Sequence, residues 1–286
     1  MRPVSLMAPD GVVLQGQWAI ASEPRAVVVL AGALGVPAAF YRRFAVHLAS
    51  SGLSVLTFDY RGAGASRTDP AVASRATLRQ WGEDDLAAAL DEAEREARGA
   101  PVVLLGHSFG GQALALAPVR GRVAGAVIVG AQLGWVGHFP APARWALAGM
   151  FQGVVPAVSA RMGYTPGWLG LGIDLPTGVV AEWGRWMRSP RYLLDHVPQA
   201  DLALQELGFR VEMIAPSDDR YAPIGAVRAL ASAIPTAELT VIEPGAVGLR
   251  EIGHFGLFRP TCSRLWDPVA DRLVALAGVA PALRAA

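Results

Sequence analysis

The chain has 286 residues, enough for one sizeable domain or one domain carrying an insertion, and its 52% apolar and 17% charged residues exclude a disordered chain. A net charge of +1 gives no electrostatic basis for a nucleic-acid partner. All 25 basic residues are arginine, which excludes a catalytic or Schiff-base lysine, and the single cysteine, Cys262, excludes an internal disulfide and a cysteine-ligated zinc site.

The single cysteine fits a reduced, cytoplasmic setting, and the opening "MRPVSLMAPDGVVLQGQWAI" lacks the basic-then-apolar pattern of a secretory signal. Two strands, Val4 to Ala8 and Val12 to Ile20, are predicted around the turn at Asp10-Gly11. "AVVVLAG" (26–32) reads as a strand buried on both faces, followed by a helix from Ala38 to Ser51 and the strand "LSVLTFDY" (53–60). Residues 77–98 have helical spacing and strong helix formers, with Gly99 as the stop. "PVVLLG" (101–106) is a strand, "GGQALALAP" starts a helix, and "VAGAVIVG" (123–130) is a further strand.

From about Gln132 to Asp201 the alternation breaks. Five of the chain's eight tryptophans fall here, among them Trp135, Trp183 and Trp186, with many prolines and glycines. No uninterrupted apolar run in this part reaches the roughly 18 to 20 residues of a spanning helix, and membrane association is not expected. The alternation resumes with "FRVEMIAP" (209–216), a helix from Ala226 to Ile234, "ELTVIEP" (238–244) and an amphipathic helix near 263–277. Strands alternating with helices predict an α/β core with a mostly parallel sheet. The core is divided into residues 1–131 and 206–286 by an inserted helical segment at 132–205.

Gly106-His107-Ser108-Phe109-Gly110 matches G-x-S-x-G, with a strand before it and a helix after it. A serine on so tight a turn is exposed at the strand end, and the helix behind it aims backbone N–H groups at the place where negative charge develops. A serine hydroxyl needs a base to take its proton and an acid to orient that base. In chain order these should follow as an acid and then a histidine. His254 in "REIGHFGLF" is the only histidine after the last strand, and Asp218 and Asp219 in "SDDRYAP" are both candidate acids. The other aspartate then serves as a turn cap. His107 is expected to be a packing residue. The oxyanion donors would be the Phe109 N–H and an N–H after "AVVVLAG", with Ala33 the first choice and Leu34 the second.

On "GALGVP", "DYRGAGAS", "GHSFGG", "SDDRYAP" and "IGHFGLFR", spread over nearly the whole length, the chain resembles the α/β-hydrolase family. "GVPAAFYRRFAVHLASSGLSVLTFDYRGAGAS" is similar to a bacterial subgroup of esterase-like serine α/β-hydrolases. The resemblance implies an eight-stranded, mostly parallel sheet flanked by helices, with a helical lid between the sixth and seventh strands. It also implies Asp219 as the acid, since related hydrolases place it four residues before a proline, here Pro223. Many relatives carry His-Gly at the oxyanion loop; this chain has Ala31-Gly32, which removes a customary support of that loop.

These readings imply a serine hydrolase that cleaves a carboxylic ester of a small or medium apolar substrate through an acyl-enzyme, with no cofactor and no metal. Ser108 is the nucleophile, His254 the base and Asp219 its orienting acid, while Leu34, Trp135, Trp183 and Trp186 are candidate pocket residues. A thioesterase, amidase or peptidase, acyltransferase or perhydrolase would use the same machinery. A ligand-binding protein on a hydrolase scaffold is the alternative from another class.

Overall fold

Five or six consecutive, mostly apolar residues leave a strand no polar face, so it must be covered on both sides. Three segments of this kind, β3 (Ala26–Ala31), β5 (Val102–His107) and β6 (Gly125–Val129), are fully buried and lie side by side in parallel. The computed structural model describes residues 1–67 and 75–278 and contains one eight-stranded sheet. With β1 (Arg2–Met7), β2 (Val13–Ala19), β4 (Leu53–Phe58), β7 (Arg210–Pro216) and β8 (Ala237–Ile242), its order is β1-β2-β4-β3-β5-β6-β7-β8. The first two pairings, β1 with β2 and β2 with β4, are antiparallel, and the rest are parallel. This is the mostly parallel α/β sheet expected from the alternation. The parts of the expected core at 68–74 and 279–286 lie outside the described residues.

The helices divide between the two faces. α1 (Arg42–Ser50) and the last helix, Trp266–Leu276, bury Phe44, Leu48, Trp266 and Leu273 against one face. α2 (Leu86–Ala97) covers the other face with Leu86, Ala89 and Leu90. It is preceded by a capped α-helical turn at Leu78–Gln80 and a π-helical turn at Trp81–Asp85, so the single helix read over 77–98 is widened near its start. The helix after β5 is short, α3 (Phe109–Gln112) running into a 3₁₀ turn, because Pro118 closes off its continuation.

Between β6 and β7 the chain makes helices and turns with one isolated antiparallel bridge, Thr165 with Leu175. α4 (Ala141–Gly149), a π-helical turn (Met150–Val154) and α5 (Val155–Met162) form one arm. α6 (Thr177–Trp186) and α7 (Ala200–Gln205) complete the insertion. Trp186 is fully buried edge-on to Tyr192, and Trp183 packs edge-on against Phe151. Trp145 and Trp168 lie on the outside, 69% and 71% exposed. The insertion presses on the loop after β3, where the Ile173 N–H donates to the Gly35 carbonyl at 3.1 Å. Among the described residues no helix is long and apolar enough to cross a membrane.

From β3 the chain moves to β4 on one side and then returns to β5 on the other. The loops leaving β3 and β5 therefore diverge and open a crevice at the carboxyl end of the sheet. Ser108 stands in that crevice.

Candidate active site

Ser108 sits between β5 and α3 with φ 52° and ψ −112°, a conformation that L-residues rarely adopt. Its N–H donates to the Val129 carbonyl at 2.9 Å, and its own carbonyl accepts from the Gly111 and Gln112 amides. The turn is held from both sides. The flanking glycines are required by contact: a Cβ on Gly110 would stand 1.9 Å from the Ala31 carbonyl oxygen, and one on Gly106 would stand 2.6 Å from the Gly111 nitrogen. The spacing of the G-x-S-x-G motif thus records the approach of β3 and α3 to the elbow.

The Phe109 N–H is the first amide of α3 and has no acceptor within the helix. Its ring is buried against Tyr60 and Trp81. Across the crevice, the Ala33 N–H donates to the Tyr41 hydroxyl at 2.9 Å, both residues being buried. The first-choice amide of the loop is thereby engaged, and Leu34, the second choice, is the next amide along it. The loop itself is well supported despite the missing histidine. Tyr60 donates to the Gly32 carbonyl, and Asp59 accepts from Ala38 and Ala65. Burial raises the Asp59 carboxyl above its usual range, against the pull of those two amides.

After β7 the chain turns through Ser217 to Ala222. Asp219 accepts from the Tyr221 and Ala222 amides through Oδ1 (2.8 and 2.9 Å) and pairs with His254 Nδ1 through Oδ2 at 2.7 Å. Both side chains are nearly inaccessible. The two amides saturate one carboxylate oxygen and leave the other for the imidazole, which fixes the ring's orientation. His254 itself lies in α8 (Gly253–Gly256). Gly130, directly after the carbonyl that receives the Ser108 N–H, lies under this pair; a Cβ there would be 3.2 Å from both Asp219 Oδ2 and His254 Nδ1. Ser108, Asp219 and His254 are therefore gathered at one end of the sheet. No hydrogen bond joins Ser108 Oγ to His254 among the described residues, and such pairs are commonly loose until substrate arrives.

Asp218 has a different job from the turn cap expected of it. Its Oδ2 and Oδ1 accept from the Ile252 and Gly253 amides, each at 2.9 Å, so that it clamps the backbone leading into His254. His107, expected only to pack, is fully buried with both ring nitrogens hydrogen-bonded, Nδ1 with the Tyr41 hydroxyl (2.8 Å) and Nε2 with the His254 carbonyl (2.9 Å). Sequence reasoning missed Tyr41 altogether, because a tyrosine in "AAFYRRFA" reads as one more apolar position of a helix.

Of the proposed pocket residues, Leu34 is half-buried on the loop after β3, and the Trp135 ring folds back over Gly137 and His138. Trp183 and Trp186 are engaged in the insertion's own packing. Gln132, at the insertion's start, donates to the Tyr221 carbonyl at 3.1 Å, and the Tyr221 ring lies 5.3 Å from that of His254. No cluster of three or more histidine, cysteine, aspartate or glutamate side chains that could hold a metal ion forms among the described residues.

The sheet order, the strained elbow and the helices on both faces define an α/β-hydrolase of the esterase-like type. Residues 22–170, more than half of the chain, match the family model described as serine aminopeptidase, S33, and the chain belongs to that family. Solved structures share the fold at low identity. An esterase from Thermogutta terrifontis superposes with a TM-score of 0.61 at 17% identity, covering 97% of this chain and 100% of the other. A soluble variant of the monoglyceride lipase of Saccharomyces cerevisiae gives 0.68 at 16% identity, over 96% of each chain. An esterase from Exiguobacterium antarcticum gives 0.61 at 16% identity, over 96% and 99%. No curated protein matches the sequence.

Proposed function

We propose that this protein is a serine hydrolase that cleaves carboxylic esters through an acyl-enzyme. The observation that carries the reading is the buried, hydrogen-bonded Asp219–His254 pair beside Gly130, one residue beyond the carbonyl that anchors the Ser108 elbow. With Nδ1 bound to Asp219, the free Nε2 of His254 takes the Ser108 proton as Oγ attacks the ester carbonyl. His254 then returns that proton to the leaving alcohol. Water repeats the sequence in reverse on the acyl-enzyme. The oxyanion rests on the Phe109 amide and on an amide of the β3 loop. Leu34 is assigned here, since the Ala33 N–H is engaged by Tyr41. Two such donors are worth roughly 3 to 4 kcal/mol each in the transition state.

The insertion at 132–205 is read as a lid over this crevice, its contacts with Gly35 and the β3 loop supporting that role. Leu34 and Trp135, at its base, would meet a small or medium acyl or alcohol group. A cytoplasmic location accords with the single cysteine.

The family's description raises peptide hydrolysis as a second reading. An aminopeptidase needs a carboxylate for the substrate's terminal ammonium. Residues 97–173 contain no acidic residue. Beyond them, Asp174 is paired with Arg67, Glu182 accepts from the Arg79 amide, and Asp218 and Asp219 are both engaged. That distribution favours an ester substrate.

The test is intact mass after a broad fluorophosphonate, on the native chain and on Ser108→Ala, followed by p-nitrophenyl esters of increasing length and aminoacyl p-nitroanilides. One adduct on the native protein, absent from the variant, with ester turnover, supports the reading. A folded native chain that takes no adduct and turns over no ester defeats it in favour of a ligand-binding scaffold.

A further inference from the structure

Three consecutive hydrogen bonds cross the interior beneath the candidate active site. They run from the Ala33 amide to the Tyr41 hydroxyl (2.9 Å), from there to His107 Nδ1 (2.8 Å), and from His107 Nε2 to the His254 carbonyl (2.9 Å). Their ends lie on the β3 loop and on the residue read as the general base, while His107 is the residue directly before Ser108. Tyr41, His107 and Ala33 are each no more than 3% exposed, so water does not compete for these groups.

The protons along this path have one arrangement. The Ala33 N–H can only donate, so the Tyr41 oxygen accepts. The His254 carbonyl can only accept, so His107 carries its proton on Nε2. Nδ1 of a neutral His107 is then a bare acceptor, and the Tyr41 O–H proton is directed to it. Burial agrees with this assignment, holding His107 well below the usual imidazole range and raising the Tyr41 phenol, so that both stay neutral. Neither ring is free to turn away. Tyr41 stands edge-on to Phe40 and Phe258, both at 5.1 Å, and its Cε2 would lie 3.1 Å from a Cβ on Gly32. Phe258 also packs on His107 at 4.5 Å.

We propose that Tyr41 and His107 are positioning residues of the reaction, a one-way hydrogen-bond chain that sets the oxyanion loop and the base-bearing loop at a fixed distance from the elbow between them. The proposal rests on the serine-hydrolase reading above. It assigns two consequences to named atoms. At the loop end, Tyr41 draws the Ala33 N–H into the interior, which leaves the Leu34 amide as the loop's donor to the crevice. At the other end, His107 holds the His254 carbonyl, while Asp218 holds the two amides just before it. The base's backbone is thus gripped from both sides, and its side chain is left to Asp219.

Tyr41→Phe tests this with the least disturbance, since the ring and its packing stay and only the hydroxyl goes. The expected result is a fall in kcat of roughly 10- to 100-fold, the scale of a small misplacement of reacting groups, with KM changed less than about threefold. The variant still takes one equivalent of fluorophosphonate, more slowly, and keeps its cooperative melt. His107→Asn, whose amide can stand near the Nδ1 position but cannot reach the His254 carbonyl, lowers kcat to a similar degree, and the double variant is no slower than the slower single one because all three cut one chain. If His107→Asn fails to fold, Tyr41→Phe alone decides. A native chain that labels and turns over ester, beside a Tyr41→Phe variant whose kcat stays within twofold, overturns the proposal and spares the hydrolase reading. Losses that simply multiply in the double variant overturn it as well. A native chain that neither labels nor turns over removes the hydrolase reading, and this proposal with it.

Discussion

Asp218 grips the Gly253 amide with Oδ1 at 2.9 Å and the neighbouring Ile252 amide with Oδ2 at the same distance, while Asp219 beside it takes the His254 ring. One acid therefore places the backbone leading into His254, the proposed base, and the other its imidazole. The two should separate on substitution. Asp219→Asn presents the wrong partner to Nδ1 and is expected to lower kcat by about 10³- to 10⁴-fold with little change in melting. Asp218→Asn can satisfy only one of two part-buried amides. It should cost about 1 to 3 kcal/mol of stability and a smaller, roughly tenfold part of kcat. Paired measurements of kcat on a short-chain ester and of thermal melting decide; similar losses of rate with no loss of stability would merge the two roles.

Gly110 supplies a second expectation. A Cβ there would lie 1.9 Å from the Ala31 carbonyl oxygen, which is backbone of a central strand and cannot yield. Gly110→Ala should therefore lose more than about 3 kcal/mol or fail to fold, well beyond the ordinary range for a point substitution. Gly149→Ala, with helical angles and nothing within 4 Å of the added carbon, serves as the control and should melt no lower than the native chain, gaining about 0.5 to 1 kcal/mol from helix propensity. Chemical denaturation of both would show whether the elbow tolerates any side chain at that position.

The sheet and the elbow were legible because their signals are local. Continuous apolar runs gave β3, β5 and β6, and glycines at fixed spacing gave the turn at Ser108. His254 was singled out by its position after the last strand and Asp219 by its distance to Pro223 in related hydrolases, and the two side chains meet at 2.7 Å. What stayed hidden depends on contacts between segments distant in the chain. Nothing near Tyr41 announces that its hydroxyl meets an amide eight residues back and an imidazole 66 residues on. The clamp by Asp218 spans 34 and 35 residues. The tryptophans of the insertion divide into buried Trp186 and exposed Trp145 and Trp168, a division that composition alone cannot make.

Two buried groups give the folding stability opposite slopes with pH. His107 has a folded pKa depressed by burial below its unfolded value of 6.5, so it stays neutral while the unfolded chain takes up the proton. Its contribution is full above about pH 6.5 and is lost as the pH falls. Asp85, which holds Arg61 through Nε at 2.6 Å and through its amide at 2.8 Å, is raised by burial from 3.8 to about 7. Its contribution is present below the unfolded value and is lost as the pH rises toward about 7. Between pH 4 and 6.5 the two therefore offset each other. Asp85→Asn should expose the histidine's slope, its melting temperature falling more steeply on acidification than that of the native chain. A steeper alkaline fall in the variant would reverse the assigned sign.

Ser108 holds a backbone conformation that costs of order 1 to 3 kcal/mol in a residue with a Cβ. Its amide and carbonyl are both tied down, so the elbow cannot relax when the side chain changes. Ser108→Ala and Ser108→Gly both remove the hydroxyl and should both abolish fluorophosphonate labelling. They differ in the Cβ. Alanine retains the strained contact, whereas glycine adopts a positive φ without steric cost but lowers stability through its larger freedom when unfolded. The net expectation is that Ser108→Gly unfolds about 1 to 2 kcal/mol later than Ser108→Ala. Denaturant midpoints of the two inactive variants measure the backbone strain free of any catalytic effect. Equal midpoints would mean that the turn is comfortable as built, and that the exposure of the hydroxyl carries no stored cost.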